Sequence, residues 1–291
     1  MRGRASAVPG AAPPPPHLPR GRRAPAVRGP AGRSVGRMDD LRFALDLADR
    51  ADAISLPAFR AHDFAVEQKP DLTPVTDADR AVEAMIRERL AEARPADSLL
   101  GEEFGERGAA ARRWIVDPID GTKNFVRGVP VFATLIALYE ERTPLLGVVS
   151  APALGLRWYA QQGQGAWRSI AGGPAERLRA SGVARLADAS LSYASLGGWA
   201  QRGTRERFIE LCDTVWRTRG FGDFWSYMLV AEGSADIACE PELELYDMAA
   251  LVPVVTEAGG AFTDLDGRPG PFGGTALATN GRLHDQALEY F

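Results

Sequence analysis

Histidine and cysteine are nearly absent. His17, His62 and His284 lie far apart along 291 residues, and neither Cys212 nor Cys239 has a partner at metal-ligand spacing. Zinc sites and histidine-driven nucleophiles are therefore poorly supported, and catalysis must rest on carboxylates, hydroxyls and hard cations. Two isolated cysteines are expected as thiols rather than a disulfide, which suits a reducing, cytoplasmic setting. No apolar run approaches the ~20 residues of a membrane helix, so no membrane association is expected. Acidic residues are missing from residues 1–37, which hold eight arginines and no lysine. The overall charge of −4 thus divides into +8 on this tail and −12 on the body.

The tail is rich in Pro, Ala and Gly, includes Pro13-Pro14-Pro15-Pro16, and has no apolar periodicity with which to bury a face, so disorder is expected over 1–37. Arg22-Arg23 is not followed by an apolar segment, which argues against an export signal. Basic charge without interleaved aromatics gives no support to nucleic-acid binding. Met38 is the expected true start, preceded by upstream sequence.

The most informative stretch is Trp114-Ile115-Val116-Asp117-Pro118-Ile119-Asp120-Gly121-Thr122-Lys123-Asn124-Phe125. An apolar run closed by Asp-Pro reads as a buried strand that stops where Pro118 has no N–H to give. A tight turn there would aim Asp117 and Asp120 at one point and leave the Ile119 carbonyl unpaired beside them. Two carboxylates and a carbonyl are hard oxygen donors of the kind Mg²⁺ prefers. Gly121 permits close backbone approach, and Thr122 offers a hydroxyl and an N–H at a possible helix start. Turn chemistry alone favours the same residue types, so the motif by itself is equally well read as an Asp-Pro turn.

Elsewhere the acids have ordinary explanations too. Asp39 to about Arg60 has helical spacing, with Leu41, Ala44, Leu45, Ala48 and Ala51 on one face. Lys69 to Asp79 reads as a polar loop into a second helix, with Thr76 and Asp79 resembling a capping box. Ser98-Leu99-Leu100-Gly101 reads as a strand ending in Glu102-Glu103, at a loop-plus-strand distance that would set Glu102 beside Asp117. Residues 131–168 read as an antiparallel meander. Further on, strands are expected at 190–195 and 235–239 and helices at 204–216 and 224–232. A continuous apolar helix is expected from Tyr246-Asp247-Met248 to Glu257, where Asp247 is adequately explained as a cap.

Taken together, Gly101-Glu102-Glu103, then Asp117-Pro118-Ile119-Asp120-Gly121-Thr122, then Tyr246-Asp247 before Thr256-Glu257-Ala258-Gly259-Gly260 resemble the inositol monophosphatase family of Mg²⁺-dependent, lithium-sensitive phosphatases. The resemblance spans roughly 39–291. It implies an α/β (α+β) fold, a layered αβαβα sandwich, with an N-terminal half (38–176) carrying the metal-binding turn and a C-terminal half (177–291) completing the site. By the same resemblance, Glu102, Asp117 and the Ile119 carbonyl would hold one Mg²⁺, Asp117, Asp120 and Asp247 a second, and Glu102 with Asp79 a weaker third. Asp77 and Thr122 would be the pair orienting the attacking water. The substrate would meet Asp120, Gly121, Thr122, Asp223, Glu240 and Asp247. Hydrolysis would proceed by direct attack of metal-activated water without a phosphoenzyme, and a homodimer would be the expected assembly. Tyr246 departs from the family, which usually has Trp there.

Within the family, Lys123 to Pro130 and Arg219 to Tyr227 resemble the actinobacterial histidinol-phosphate phosphatase branch. A substrate bearing an ammonium and an imidazole would suit Asp223, Glu240 and the aromatic face of Trp225. The expected activity is therefore histidinol-phosphatase in histidine biosynthesis. An inositol-1-phosphate or broad sugar-phosphate phosphatase is the alternative within the class, and an inactive metal-dependent binding module the alternative outside it. The intact mass of the native protein is expected to correspond to a chain beginning at Met38; a chain beginning at Met1 would contradict that start.

Overall fold

The computed structural model describes residues 35–62, 64–69 and 73–291. The expectation of disorder falls mostly on residues 1–34, which lie outside that range; the first helix begins at Val35, within the stretch expected to be disordered.

In chain order the elements of the first half are α1 (Val35–Ala61), β1 (Val66–Gln68), β2 (Pro74–Thr76), α2 (Asp77–Ala93), β3 (Ser98–Gly101), β4 (Gly105–Arg107), β5 (Arg112–Asp120), α3 (Thr122–Val126), β6 (Ala133–Glu140), β7 (Thr143–Ala151), β8 (Leu156–Gln161), β9 (Gly165–Ile170) and β10 (Glu176–Arg177). Those of the second are β11 (Ser190–Ser192), α4 (Gly197–Arg202), α5 (Arg205–Thr214), β12 (Arg217–Arg219), α6 (Asp223–Glu232), β13 (Ile237–Glu240), α7 (Leu245–Ala249), α8 (Leu251–Glu257), β14 (Ala261–Thr263), β15 (Ala276–Thr279) and α9 (His284–Leu288). β3 to β10 make one sheet in the order β10-β9-β8-β7-β6-β5-β3-β4; β11 to β15 make a second in the order β12-β11-β13-β15-β14.

The period-2 alternation of side chains builds the layers. Trp114 and Val116 of β5, with Ile136 and Leu138 of β6, face α1 and α2. Ile115, Leu135, Ala137 and Tyr139 face the opposite way, onto α6, α7 and α8. The second sheet repeats the pattern: Ala238, Ala276 and Ala278 face those same helices, while Ile237, Cys239 and Leu277 pack on Trp199, Phe208, Leu211 and Ala287. Helices, sheet, helices, sheet, helices: this is a five-layer αβαβα sandwich, the fold expected. The expected meander is present as β6 to β9, each strand antiparallel to the next. Both cysteines are free thiols. Among the described residues no helix is long and apolar enough to cross a membrane.

Three local expectations are corrected. β5 does not stop at Pro118 but runs to Asp120, because a bulge between Asp117 and Asp120 absorbs the residue that cannot donate to the ladder. The polar segment before α2 contains a strand, β2, paired antiparallel with β1. The apolar helix expected from Tyr246 to Glu257 is two helices, broken at Ala250. Pro253 has no N–H for the Ala249 carbonyl. That orphaned acceptor is taken instead by the Tyr139 hydroxyl at 3.0 Å, from the facing strand.

Tyr139→Phe leaves the buried Ala249 carbonyl without a donor, and should cost about 1–3 kcal/mol in denaturant unfolding. An unchanged midpoint would mean that the break is held by packing alone.

Candidate active site

β3 and β5 run parallel, with Gly101 opposite Val116, so Glu102 and Asp117 follow this last pair side by side. The bulge after Asp117 turns Asp120 back towards it. Asp247 arrives from the other half on the first turn of α7. One carboxylate oxygen from each of Asp117, Asp120 and Asp247 lies within 4.8 Å of the others. A cavity of about 350 Å³ opens over this corner, and six carboxylates (Glu102, Asp120, Asp223, Glu240, Glu244 and Asp247) and two lysines (Lys69 and Lys123) line it.

So much negative charge out of water has a cost that shows in proton affinity. Burial, then repulsion from Glu102, Asp120 and Asp247, raises Asp117 well above the ordinary aspartate range. Burial and then Asp223 and Asp247 do the same to Asp120. Asp247 is pushed up to about 7, chiefly by burial, although the N–H of Glu244 favours its charged form. Burial raises Asp79 to about 6 against the hydrogen bonds from Thr76. Asp117 Oδ1 is buried without any hydrogen-bond partner. An orphaned buried carboxylate oxygen beside two further acids fits a hard divalent cation, which would supply the missing charge and the missing partner together.

Capping and site duties coexist. Asp247 Oδ2 accepts the Glu244 N–H at 2.8 Å in a reciprocal capping box, using one oxygen and leaving the other for the cluster. Asp79, 0% exposed, likewise accepts the N–H of Thr76 at 2.9 Å as part of the expected capping box, while its Oδ1 faces the Thr122 hydroxyl at 3.4 Å. Asp77, expected to pair with Thr122, does not. It is exposed and accepts the Ala65 N–H at 3.2 Å, because the first helical position points outward while the third is turned inward to Thr122. Asp79 takes the place assigned to Asp77. The Ile119 carbonyl, expected to be unpaired, accepts the Thr122 hydroxyl at 3.0 Å and keeps one lone pair.

Gly121 has φ +81° and caps α3; a Cβ there would stand 3.0 Å from the Val131 carbonyl and 3.2 Å from Asp223 Oδ2, so any side chain would be strained. Asp223, also left-handed at φ +40°, accepts from Asn124 Nδ2 at 3.2 Å, and its neighbour Phe224 donates its N–H to Asp120 Oδ2 at 2.9 Å. Glu240 ends β13 only 8% exposed, with Oε1 unpartnered. Burial and then Asp223 and Asp247 raise its proton affinity. Trp225, expected to offer an aromatic face, is not part of the cavity wall; it packs against Phe221, and Phe224, Tyr227 and Tyr246 line the wall instead.

Lys69 was not foreseen. Its ammonium bridges Glu102 at 2.6 Å and Glu103 at 2.7 Å. Only its place in a segment read as a polar loop opposite two acids could have signalled it. Lys123 and Tyr227 also line the cavity, and Lys123 partly offsets the raised proton affinity of Asp223.

Residues 38–291 match the model of the inositol monophosphatase family. The chain belongs to that family. It is 61% identical to a histidinol-phosphatase of Mycobacterium tuberculosis over 251 residues, covering 86% of this chain and 96% of that one. It is 57% identical to a histidinol-phosphatase of Streptomyces coelicolor over 257 residues, covering 87% and 97%. Its fold superposes on an inositol monophosphatase of Zymomonas mobilis with a TM-score of 0.78 at 35% identity, covering 89% of this chain and 99% of that one.

Raised aspartate pKa values mean that the folded protein binds protons more tightly than the unfolded chain, so without metal its stability falls as pH rises. In chelator, Tm should drop between the ordinary aspartate value of 3.8 and about 7, the range spanned by Asp79 and Asp247. Asp247→Asn should raise Tm in chelator at pH 7.5 while reducing the gain on adding Mg²⁺. Thermal melts showing a flat pH profile and no gain from the substitution would contradict the repulsion.

Proposed function

We propose that this chain is a Mg²⁺-dependent histidinol-phosphatase acting in histidine biosynthesis, releasing phosphate from L-histidinol phosphate by direct attack of water. The observation that carries the substrate is a pair of acids on the cavity wall besides the Asp117, Asp120 and Asp247 cluster, the buried Glu240 and the half-buried Asp223. Glu240 has an oxygen with no partner, and Asp223, only partly offset by Lys123, stands near enough to raise its proton affinity further. An ammonium and an imidazole answer that wall, whereas a neutral polyol leaves the buried Glu240 carboxylate uncompensated. The names borne by the relatives at 57% and 61% identity support the same reading.

Glu102, Asp117 and the Ile119 carbonyl would hold one Mg²⁺, Asp117, Asp120 and Asp247 a second, and Glu102 with Asp79 a third, weaker one. When bound, these ions supply acidity to water and neutralise charge on the attacking and leaving oxygens. The chain's own groups do the rest. The Thr122 hydroxyl has one hydrogen and two acceptors in reach, Ile119 O at 3.0 Å and Asp79 Oδ1 at 3.4 Å. With that hydrogen turned to Asp79, the Thr122 oxygen accepts one from the attacking water and fixes its direction, and Asp79 is placed to take up the proton. The start of α3 at Gly121 and Thr122 receives the phosphate, where the absence of a side chain on Gly121 lets it approach the backbone. Inhibition by lithium, a homodimeric assembly and a cytoplasmic setting accompany this reading on the family resemblance.

Purified protein with Mg²⁺ should favour histidinol phosphate over inositol 1-phosphate by roughly 100-fold or more in kcat/KM. Asp223→Asn should erode that preference chiefly through KM for histidinol phosphate, and Asp117→Asn should reduce kcat by about 10²-fold or more. Equal or reversed preference would move the assignment to a sugar-phosphate or inositol-phosphate phosphatase. Protein that hydrolyses neither ester would leave a binding module.

A further inference from the structure

Glu83 takes no part in the chemistry described above, yet it is a carboxylate with 0% exposure. It lies on α2 one turn after Asp79, on the same buried face. Its Oε2 accepts the N–H of Glu103 at 2.6 Å, and its Oε1 accepts the N–H of Phe104 at 3.1 Å and the Arg87 guanidinium at 2.7 Å. Arg87 in turn donates to the Gly105 carbonyl at the far side of the same turn, and its guanidinium stands over the Phe104 ring at 5.6 Å. One acid and one arginine of α2 therefore grip the turn from 102 to 105 by its backbone. The fit extends to Gly101, where a Cβ would fall inside the Glu83 carboxylate.

That turn carries Glu102. Glu102 itself is tied to β5 by a long hydrogen bond, from its N–H to the Val116 carbonyl at 3.3 Å. The strand pairing that aligns β3 with β5 ends at Gly101 and Val116. Beyond this point the pleat no longer dictates where Glu102 goes. The next two N–H groups, of Glu103 and Phe104, both end on Glu83.

We infer that Glu83 is a positioning residue for the metal centre: its buried carboxylate, held by Arg87 and fitted against Gly101, anchors the turn that presents Glu102 to Asp117. The inference rests on the proposal that Glu102 is a cation ligand. Both oxygens of Glu83 act as acceptors, so a glutamine of the same shape sets an NH₂ group against at least one N–H of the turn and pushes the turn away. A residue that merely filled space would tolerate that exchange.

The test is calorimetric titration of the metal-free protein with Mg²⁺ alone, in wild type, Glu83→Gln and Gly101→Ala, with Tm recorded in chelator for each. Gly101→Ala displaces the Glu83 carboxylate from the opposite side and serves equally if Glu83→Gln fails to fold. Both variants should weaken Mg²⁺ binding about tenfold or more, as loss of a supporting partner does at other metal sites. The double variant should lose no more than the larger single effect, because both act on one contact. Tyr139→Phe is the control for stability alone, and should bind Mg²⁺ as wild type does. Wild-type affinity in Glu83→Gln and Gly101→Ala would overturn the inference, and so would an equal loss in Tyr139→Phe at matched Tm. Wild-type protein that binds no Mg²⁺ would overturn the proposed function instead, and the positioning role with it.

Discussion

Asp117, Asp120 and Asp247 are buried close to one another and to other acids, and burial and repulsion together raise the proton affinity of all three, on a scaffold that cannot let them part. Asp117 is fixed by the sheet, Asp120 by the bulge that Pro118 imposes, and Asp247 by its capping box. Relief by moving apart would break the strand pairing or the cap, so it must come from protons or cations. A fold that concentrates like charge at a strand end is unstable towards binding something positive, and the chemistry follows from what that something is.

The sandwich makes this concentration possible. Parallel pairing of β3 and β5 sends two acidic strand ends the same way, and the alternation of their side chains buries both faces of the sheet. Helices α6 and α7 are then pressed between the two sheets with their N-terminal ends at that corner, and they deliver Asp223 and Asp247 from the second half. The helix break at Ala250, held by Tyr139, belongs to the same economy of backbone groups: α7 is a short segment whose direction is set separately from that of α8. Capping explains why Asp79 and Asp247 look structural and serve the site at once. A carboxylate has two oxygens, and the cap uses one.

Much of this was legible in the chain. Alternating apolar strands, the 3.6-residue stripes of α1 and α2 and the Thr76–Asp79 box specify their elements locally. Of the five acids assigned to cations, Asp117, Asp120 and Asp247 converge within 4.8 Å of one another. What was not legible depends on three-dimensional direction. Whether Asp77 or Asp79 meets Thr122 is decided by 200° of helix turn, which spacing alone leaves open when both residues are aspartate. Trp225 was chosen for its chemistry, but it lies two residues into α6 and packs against Phe221. Lys69 and Glu83 are anonymous charges in sequence, one in a polar segment and one on a helix face, and only the turn at 102–105 joins them to the site.

The most direct measurement is anomalous diffraction from crystals grown with Mn²⁺ in place of Mg²⁺. The expected result is a peak in contact with oxygens of Asp117, Asp120 and Asp247, with a second touching Glu102 and the Ile119 carbonyl. Crystals in which those carboxylates meet only water or one another, with Mn²⁺ bound elsewhere or not at all, would contradict a metal centre at this corner.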